Sequence, residues 1–452
     1  MRSNGSQIDS NPRYQQINDP RLVLEDKIRN HSAVVGVVGL GSAGLITAVE
    51  MAIAGFYVTG VDFDSARVNA INAGISDYVE VPSETLFQLV TKNRIKATQS
   101  LATVEELDAI SICVPTPLQK TKEPSLSHVI AAIETIRNHL RPGQLIIVES
   151  TVYPGAMRQL ILSILEKSGL QVGEDFFLAY APQRVSTGNP SYKIANTPRV
   201  VGGITPTCRD LAVSFYQQFI ETIIPVSSAE TAEMVKLLEN TFSGVNTALV
   251  NELALLSQKL GVNVWEVIDA ARSKPFGFMP FYPGPGLGKE LAPVDGRFIT
   301  SKTGLGGFRL RMIELATDIN SQMSSFIIER ITDALNGSGK SLKFSKILAM
   351  GVSHDNDPNG HCDATALEVI QGLRQKGASI SFVDPYQRSI EIDGTAIKSV
   401  QLAPKMVESM DCIVLLNDHS AFDYAMIAAH NALVIDSRNG FRNFSSSNII
   451  PI

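Results

Sequence analysis

The stretch Gly39-Leu40-Gly41-Ser42-Ala43-Gly44 follows a short apolar run, opens a predicted helix and lies about 20 residues before Asp62. Glycines at that spacing allow a tight turn, close approach of a pyrophosphate to the backbone and close packing of the helix, whose N-terminus favours an anion. Asp62 would accept hydrogen bonds from ribose hydroxyls and repel a 2′-phosphate, so the cofactor expected is NAD rather than NADP. Other residue types are less telling when taken singly. Lys236 and Asn240, four apart, share one face of a predicted helix, where an exposed pair is the plainer reading. Asp295 after Pro293-Val294 reads as a turn acid, and Thr151 after Glu149-Ser150 as a helix cap. His354 and His361 fall in a polar loop. Cys113, Cys208, Cys362 and Cys412 are far apart with no CxxC pair, so no metal site or disulfide framework is expected and a reduced, cytoplasmic setting fits.

The elements that must position these residues are legible in outline. Ala33–Val38 is a continuous apolar run of the kind buried on both faces of a parallel sheet. A helix over Leu45–Ala54, a stop at Gly55 and a strand over Phe56–Asp62 follow. Further strands are expected at Ala109–Val114, Gln144–Val148 and Phe177–Tyr180, alternating with helices, which predicts a doubly wound α/β domain to about residue 210. From Ala229 to Gly261 apolar residues recur at helical spacing through Met234, Leu238, Phe242, Leu249, Leu253 and Leu256, as in an interdomain spine or a dimer interface. The segment Lys274–Gly288 is too rich in proline and glycine for a regular element and reads as a linker or, given its aromatics, a binding loop. After a second helical region, α/β alternation resumes with strands at Ile347–Met350, Ser379–Val383, Cys412–Leu416 and Ala432–Asp436 and a helix at Thr365–Gln375.

The fold class is therefore α/β, with two Rossmann-like doubly wound domains joined by a long central helical region. The division expected is an N-terminal extension (1–30), an NAD-binding domain (31–210), a central helical region (211–335) and a C-terminal α/β domain (336–452), the two nucleotide-type folds suggesting one nucleotide-bearing ligand each. Composition agrees with several domains: 452 residues, 44% apolar and 19% charged. A net charge of −6 gives no footprint for nucleic acid or an anionic membrane surface. No apolar run approaches the roughly 18 residues of a membrane helix, and the polar N-terminus lacks the apolar core of a signal peptide.

Five stretches together resemble the UDP-glucose/GDP-mannose dehydrogenase family, and within it the UDP-N-acetyl-hexosamine 6-dehydrogenases. They are Gly39–Gly44 with Asp62, Cys113-Val114-Pro115-Thr116-Pro117, Glu149-Ser150-Thr151-Val152-Tyr153-Pro154-Gly155, Glu233–Phe242, and Lys274–Gly288. The resemblance implies two hydride transfers from a sugar alcohol to NAD, giving a carboxylate, in a homodimer that takes a nucleotide sugar. It also implies that Gly39, Gly41, Gly44, Asp62, Thr116 and Glu149 bind the cofactor, and that Lys274, Phe278, Tyr282, Gly286 and Gly288 belong to the substrate loop. For the first oxidation it implies Lys236 and Asn240 as donors to the oxyanion, Asp295 as the carboxylate orienting a proton-accepting water, and Thr151 as a water-positioning hydroxyl.

The second oxidation is another matter. The family pattern Gly-Gly-His-Cys-Ile-Pro-Val-Asp is here Gly288-Lys289-Glu290-Leu291-Ala292-Pro293-Val294-Asp295, so the cysteine that captures the aldehyde is Leu291, which has no nucleophile. The family's Ser-Pro-Glu-Arg-Val is Ala181-Pro182-Gln183-Arg184-Val185, and Gln183 cannot act as a base near neutral pH. In the C-terminal domain a family lysine aligns with Asp355 and an arginine with Cys362, removing two cations that would face phosphate or nucleotide. The residues for alcohol oxidation are kept while those for the second step are lost, so a single two-electron step, or an epimerisation retaining NAD, is expected. The competing expectations are a non-catalytic relative that binds NAD or a nucleotide sugar, and full oxidation with Glu290 or Lys289 in place of the lost groups.

Overall fold

The computed structural model describes residues 19–117, 125–184, 189, 191–287, 309–353, 362–430 and 432–452. They form two compact units, the division falling between Leu237 and Leu238 inside one helix.

The first unit is built on an eight-stranded sheet: β1 (Val34–Val38), β2 (Tyr57–Val61), β3 (Ile95–Thr98), β4 (Ala109–Ile112), β5 (Leu145–Val148), β6 (Phe177–Tyr180), β7 (Arg199–Gly203) and β8 (Ile223–Pro225). Its order is β3-β2-β1-β4-β5-β6-β7-β8, parallel throughout except between β6 and β7. The strand order reverses between β1 and β4, the crevice where doubly wound sheets bind ligands. Both faces of the central strands are covered, which is why β1, β4 and β5 are almost wholly apolar. Val35, Val37 and Ile147 pack in one apolar cluster with Phe215, while Ile110, Ile112 and Val148 face another containing Tyr180. The small residues of helix Ser42–Ile53 let it lie close on β1 and β2, with eight of its residues buried. The sheet extends past residue 210: β8 pairs with β7 over Arg199–Val201 and Ile223–Pro225. This edge is short and mostly exposed, so no apolar run announces it.

The second unit carries a parallel five-stranded sheet of order β10-β9-β13-β14-β15 and an antiparallel hairpin β11–β12. The ranges are β9 Lys346–Met350, β10 Ser379–Val383, β11 Ser389–Ile392, β12 Thr395–Lys398, β13 Cys412–Leu415, β14 Leu433–Asp436 and β15 Ile449–Pro451. Its switch point lies between β9 and β13. Helices Val264–Arg272, Arg311–Gly337 and Ala364–Gln375 belong to this unit.

Helix Ala229–Leu260 spans 32 residues, about 48 Å at 1.5 Å per residue. Its apolar stripe faces outward: Met234, Leu238, Phe242, Leu249, Leu253, Leu256 and Leu260 are all exposed. Among the described residues no helix is long and apolar enough to cross a membrane.

Candidate dinucleotide site and catalytic helix

The chain leaves β1 at Gly39 with φ +92°, a conformation that favours glycine, and a Cβ there would stand 2.8 Å from the Cys113 carbonyl oxygen. At Gly44, in the first turn of the next helix, a Cβ would meet the Gly39 oxygen at 1.8 Å. Around Gly41 nothing lies within 4 Å of such a Cβ, which leaves room for a group above the turn. The first N–H groups of helix Ser42–Ile53 have no partner within the helix and point to that space. Asp62, just past the end of β2, accepts from the N–H of Leu40 (2.8 Å) and of Asp64 (2.9 Å). A turn of this shape could hold a pyrophosphate, with an acid beside it placed to accept from a ribose, and the residues present fit NAD. Arg67, missed in the sequence, donates to Asp62 at 3.1 Å and sets a cation next to the acid.

Beneath the cradle lies a buried charged cluster. The Glu149 carboxylate accepts from Arg199 at 3.2 Å and from the Tyr216 hydroxyl at 2.8 Å, with the two charged side chains 1% and 3% exposed. Arg199 also donates to the carbonyls of Ala181 and Pro182 at 3.1 and 3.2 Å. The Glu149 side chain is thus held in the interior by Arg199 and Tyr216. Removing either partner would leave a buried charge uncompensated, at a cost of roughly 3–5 kcal/mol. Burial first, and the Glu149 charge second, hold the Cys113 thiol and the Tyr216 hydroxyl well above their ordinary values, so neither ionises near neutral pH.

Thr116 is half-buried in the loop after β4, and Thr151 is exposed in the loop after β5. Gln183 is half-buried, and its side-chain oxygen accepts from the N–H of Arg184 at 3.1 Å. Lys236 and Asn240 are both half-buried, one turn apart on the same face of helix Ala229–Leu260. Glu233, given no role in the sequence reading, is completely buried on that helix.

In the second unit, Lys274 sits over the Phe276 ring at 5.3 Å and Phe278 is exposed. Tyr282 stacks on Trp265 at 5.5 Å and donates to Asp269 at 2.7 Å. Gly284 donates to Asn251 at 3.0 Å, and Gly286 turns with φ +148° where a Cβ would meet Thr365 at 2.7 Å. So the first part of the proline-glycine segment is held by specific contacts. Gly288, Glu290, Leu291 and Asp295, and likewise His354, Asp355 and His361, lie outside the described residues. Cys362 is half-buried and forms an isolated bridge with Ser353.

At this unit's switch point Gly351 has φ +77°, with the Asn417 oxygen 2.2 Å from where a Cβ would be. Asp384, following β10, accepts from the N–H groups of Val352 (2.7 Å), Ser353 (2.8 Å), Tyr386 (2.8 Å) and Gln387 (2.8 Å) and from the Ser353 hydroxyl. Burial alone would raise its pKa, but these bonds and nearby His419 hold it well below the usual carboxylate range. Arg438, another residue the sequence did not single out, donates to Leu416 O and Asn417 Oδ1, both at 2.9 Å, and places a partly exposed cation at the end of the sheet. Among the described residues no group of three His, Cys, Asp or Glu side chains could hold a metal ion.

A sheet of this order with a glycine cradle at its switch point and an acid closing the second strand defines an NAD-binding fold. The chain belongs to the UDP-glucose/GDP-mannose dehydrogenase family, matching its NAD binding domain over residues 33–220, its central domain over 230–322 and its UDP binding domain over 349–443. The UDP-N-acetyl-D-mannosamine dehydrogenase of Pyrococcus horikoshii is 31% identical over 413 residues, 90% of this chain and 95% of that protein. The UDP-N-acetyl-D-glucosamine 6-dehydrogenase of Pseudomonas aeruginosa is 30% identical over 354 residues, 78% and 82% of the two chains. The solved UDP-D-ManNAc dehydrogenase from P. horikoshii superimposes with a TM-score of 0.83 at 30% identity, covering 92% of this chain and 98% of that one. The chain is an NAD-dependent dehydrogenase of this family that acts on a CH–OH group.

Proposed function

We propose that the substrate is a nucleotide sugar of the UDP-N-acetyl-hexosamine type and that it is oxidised by a single two-electron step, alcohol to carbonyl. The names of the relatives and the family's UDP binding domain over 349–443 support the substrate class. The observation that carries the single step is Leu291 at the family's cysteine position, with Gln183 at the position of its carboxylate base. An alkyl side chain cannot add to an aldehyde, and an amide cannot take a proton from water near neutral pH.

In this reading residues 31–210 carry NAD, 211–335 the central helix and substrate loop, and 336–452 the nucleotide of the sugar. NAD, when bound, supplies the acceptor for the hydride that leaves the carbinol carbon with its electron pair. The hydroxyl proton passes to a water oriented by Asp295 and Thr151. Lys236 and Asn240 donate to the oxygen as it gains negative charge, a contribution whose loss costs on the order of 10²–10³ in kcat per donor. Lys236→Ala should therefore lose turnover by about that factor or more while binding NAD normally. The outward apolar stripe of helix Ala229–Leu260 supports a homodimer, since a row of large exposed side chains on one helix face is an interface pattern. Aspartate at Leu249 and Leu253 together should yield a monomer in sedimentation. Four free cysteines favour a cytoplasmic setting.

The deciding experiment counts NADH formed per sugar consumed across a panel of UDP-N-acetyl-hexosamines, with the product identified by mass. One NADH per sugar and a carbonyl product is the expected result. Two NADH with a carboxylate product, or binding with no turnover at all, would overturn it.

A further inference from the structure

Glu233 sits one turn into helix Ala229–Leu260, yet its carboxylate serves another segment. Oε2 accepts from the N–H of Gly155 at 2.6 Å and Oε1 from the N–H of Met157 at 2.8 Å. These amides open the helical segment that starts with Met157–Leu162, which has no side-chain cap of its own. First-turn N–H groups have no partner within their helix, so a carboxylate from elsewhere completes them. Gly155, with φ +91°, turns the chain into that segment. Thr151 lies four residues before Gly155, and Lys236 lies three residues after Glu233, the next turn of the same helix.

We infer that Glu233 is a positioning residue for the oxidation, fixing the loop that carries Thr151 to the helical turn that carries Lys236. This rests on the reading that Thr151 and Lys236 serve the reacting alcohol. One side chain sets the spacing of two segments that are 82 residues apart between Thr151 and Glu233. Displacement of a reacting group by about 1 Å is enough to cost on the order of 10²-fold in rate.

A buried carboxylate is costly unless it is hydrogen-bonded. Burial pushes Glu233 up to about 7, with the Met157 and Gly155 N–H bonds opposing it. The charged and titratable groups facing it are Glu230 on its own helix, Arg158 on the following segment, and Tyr153 in the loop. Glu230 and Arg158 pair with each other at 2.6 Å. The ionised form, which accepts both amides, prevails on the alkaline side, and protonation loosens the clamp on the acid side.

The test compares full-length wild type, E233A, E233Q and K236A for turnover of a UDP-N-acetyl-hexosamine panel, NADH binding by fluorescence, and amide exchange across residues 151–157. In E233A kcat should fall about tenfold or more with NADH affinity unchanged, while exchange at 155–157 accelerates by about tenfold or more. E233Q returns one acceptor for two amides, as the protonated acid does, so its exchange and kcat at pH 8 should lie between those of wild type and E233A and should lack the decline that wild type shows as pH falls through about 7. Unchanged kcat in E233A beside an inactive K236A would overturn the inference, as would E233Q whose exchange at 155–157 is faster than wild type while its kcat is not lower. Full turnover in K236A, or no turnover in wild type, would instead overturn the role given to Lys236, and the exchange data would still report on the clamp. If E233A does not fold, E233Q with accelerated exchange at 155–157 but wild-type kcat overturns the inference.

Discussion

At the end of β1, Gly39 turns with a positive φ against the backbone after β4, and Asp62 at the end of β2 reaches back to the Leu40 N–H. At the end of β9, Gly351 turns in the same way against the backbone after β13, and Asp384 at the end of β10 reaches back to the N–H groups of Val352 and Ser353. The two sheets thus repeat one device: a first strand, a left-handed glycine, and an acid from the neighbouring strand holding the turn. They differ in what the acid has left to offer. Asp62 keeps its side chain 11% exposed and is bonded by three donors, whereas the Asp384 side chain is wholly buried and receives bonds on both oxygens from four backbone amides and a hydroxyl. One acid is open to a ribose; the other is consumed by its own fold. The same topology therefore yields a cofactor site or a structural pin according to how many donors surround one carboxylate.

This contrast can be broken at either acid. Asp384→Asn should cost roughly 3 kcal/mol or more, because an amide returns one acceptor oxygen for a carboxylate that serves five donors. Denaturant unfolding would read it, with NAD affinity unaltered. The linked pH effect has a definite sign. Asp384 is depressed in the folded state, so its stabilisation is present above the ordinary carboxylate value and is lost as pH falls below it. Glu233 is raised from 4.5 to about 7, so its contribution is present below 4.5 and fades as pH rises to about 7. Thermal melts of E233Q should lack that second slope while D384N lacks the first. Next in size is Gly44→Ala, whose Cβ would stand 1.8 Å from the Gly39 oxygen. It should destabilise by roughly 1–3 kcal/mol through overpacking and abolish detectable NAD binding by titration calorimetry. The smallest expected effect is Asp62→Asn, which should raise the KM for NAD about tenfold and narrow the preference over NADP, with only a small fall in melting temperature. A large fall in stability there would erase the distinction between the two acids.

Local chemistry was legible in the sequence because it is contiguous. The glycine cradle is six residues, and the long helix ends one residue from where its periodicity stops, at Leu260 rather than Gly261. β6, buried on both faces, was found at its limits because its run is unbroken, and the edge strand β10 because Ser379 and Ser381 alternate with Ile380 and Phe382. What escaped was set by distant partners. β3 alternates Ile95 and Ala97 with Lys96 and Thr98, an edge pattern without an apolar run, and β8 is three residues long. Arg199 is 50 residues from Glu149, so nothing local marks it as the partner that draws Glu149 into the interior. Arg67 and Glu233 escaped for a related reason. An arginine early in one helix and a glutamate early in another read as ordinary surface charges until the groups they meet are known.

The two edges of the eight-stranded sheet also bear on how the molecule stays dispersed. A free strand edge is a template for pairing with any other extended chain. β8 closes one side with only three residues, the last of them Pro225, which has no N–H to donate; β3 closes the other with the exposed Lys96 projecting from it. A parallel sheet of this size assembles from strands far apart in sequence and exposes its edges for longer while folding. Blunting them with a proline and a lysine protects the chain when it is most vulnerable to aggregation, before the sheet is complete.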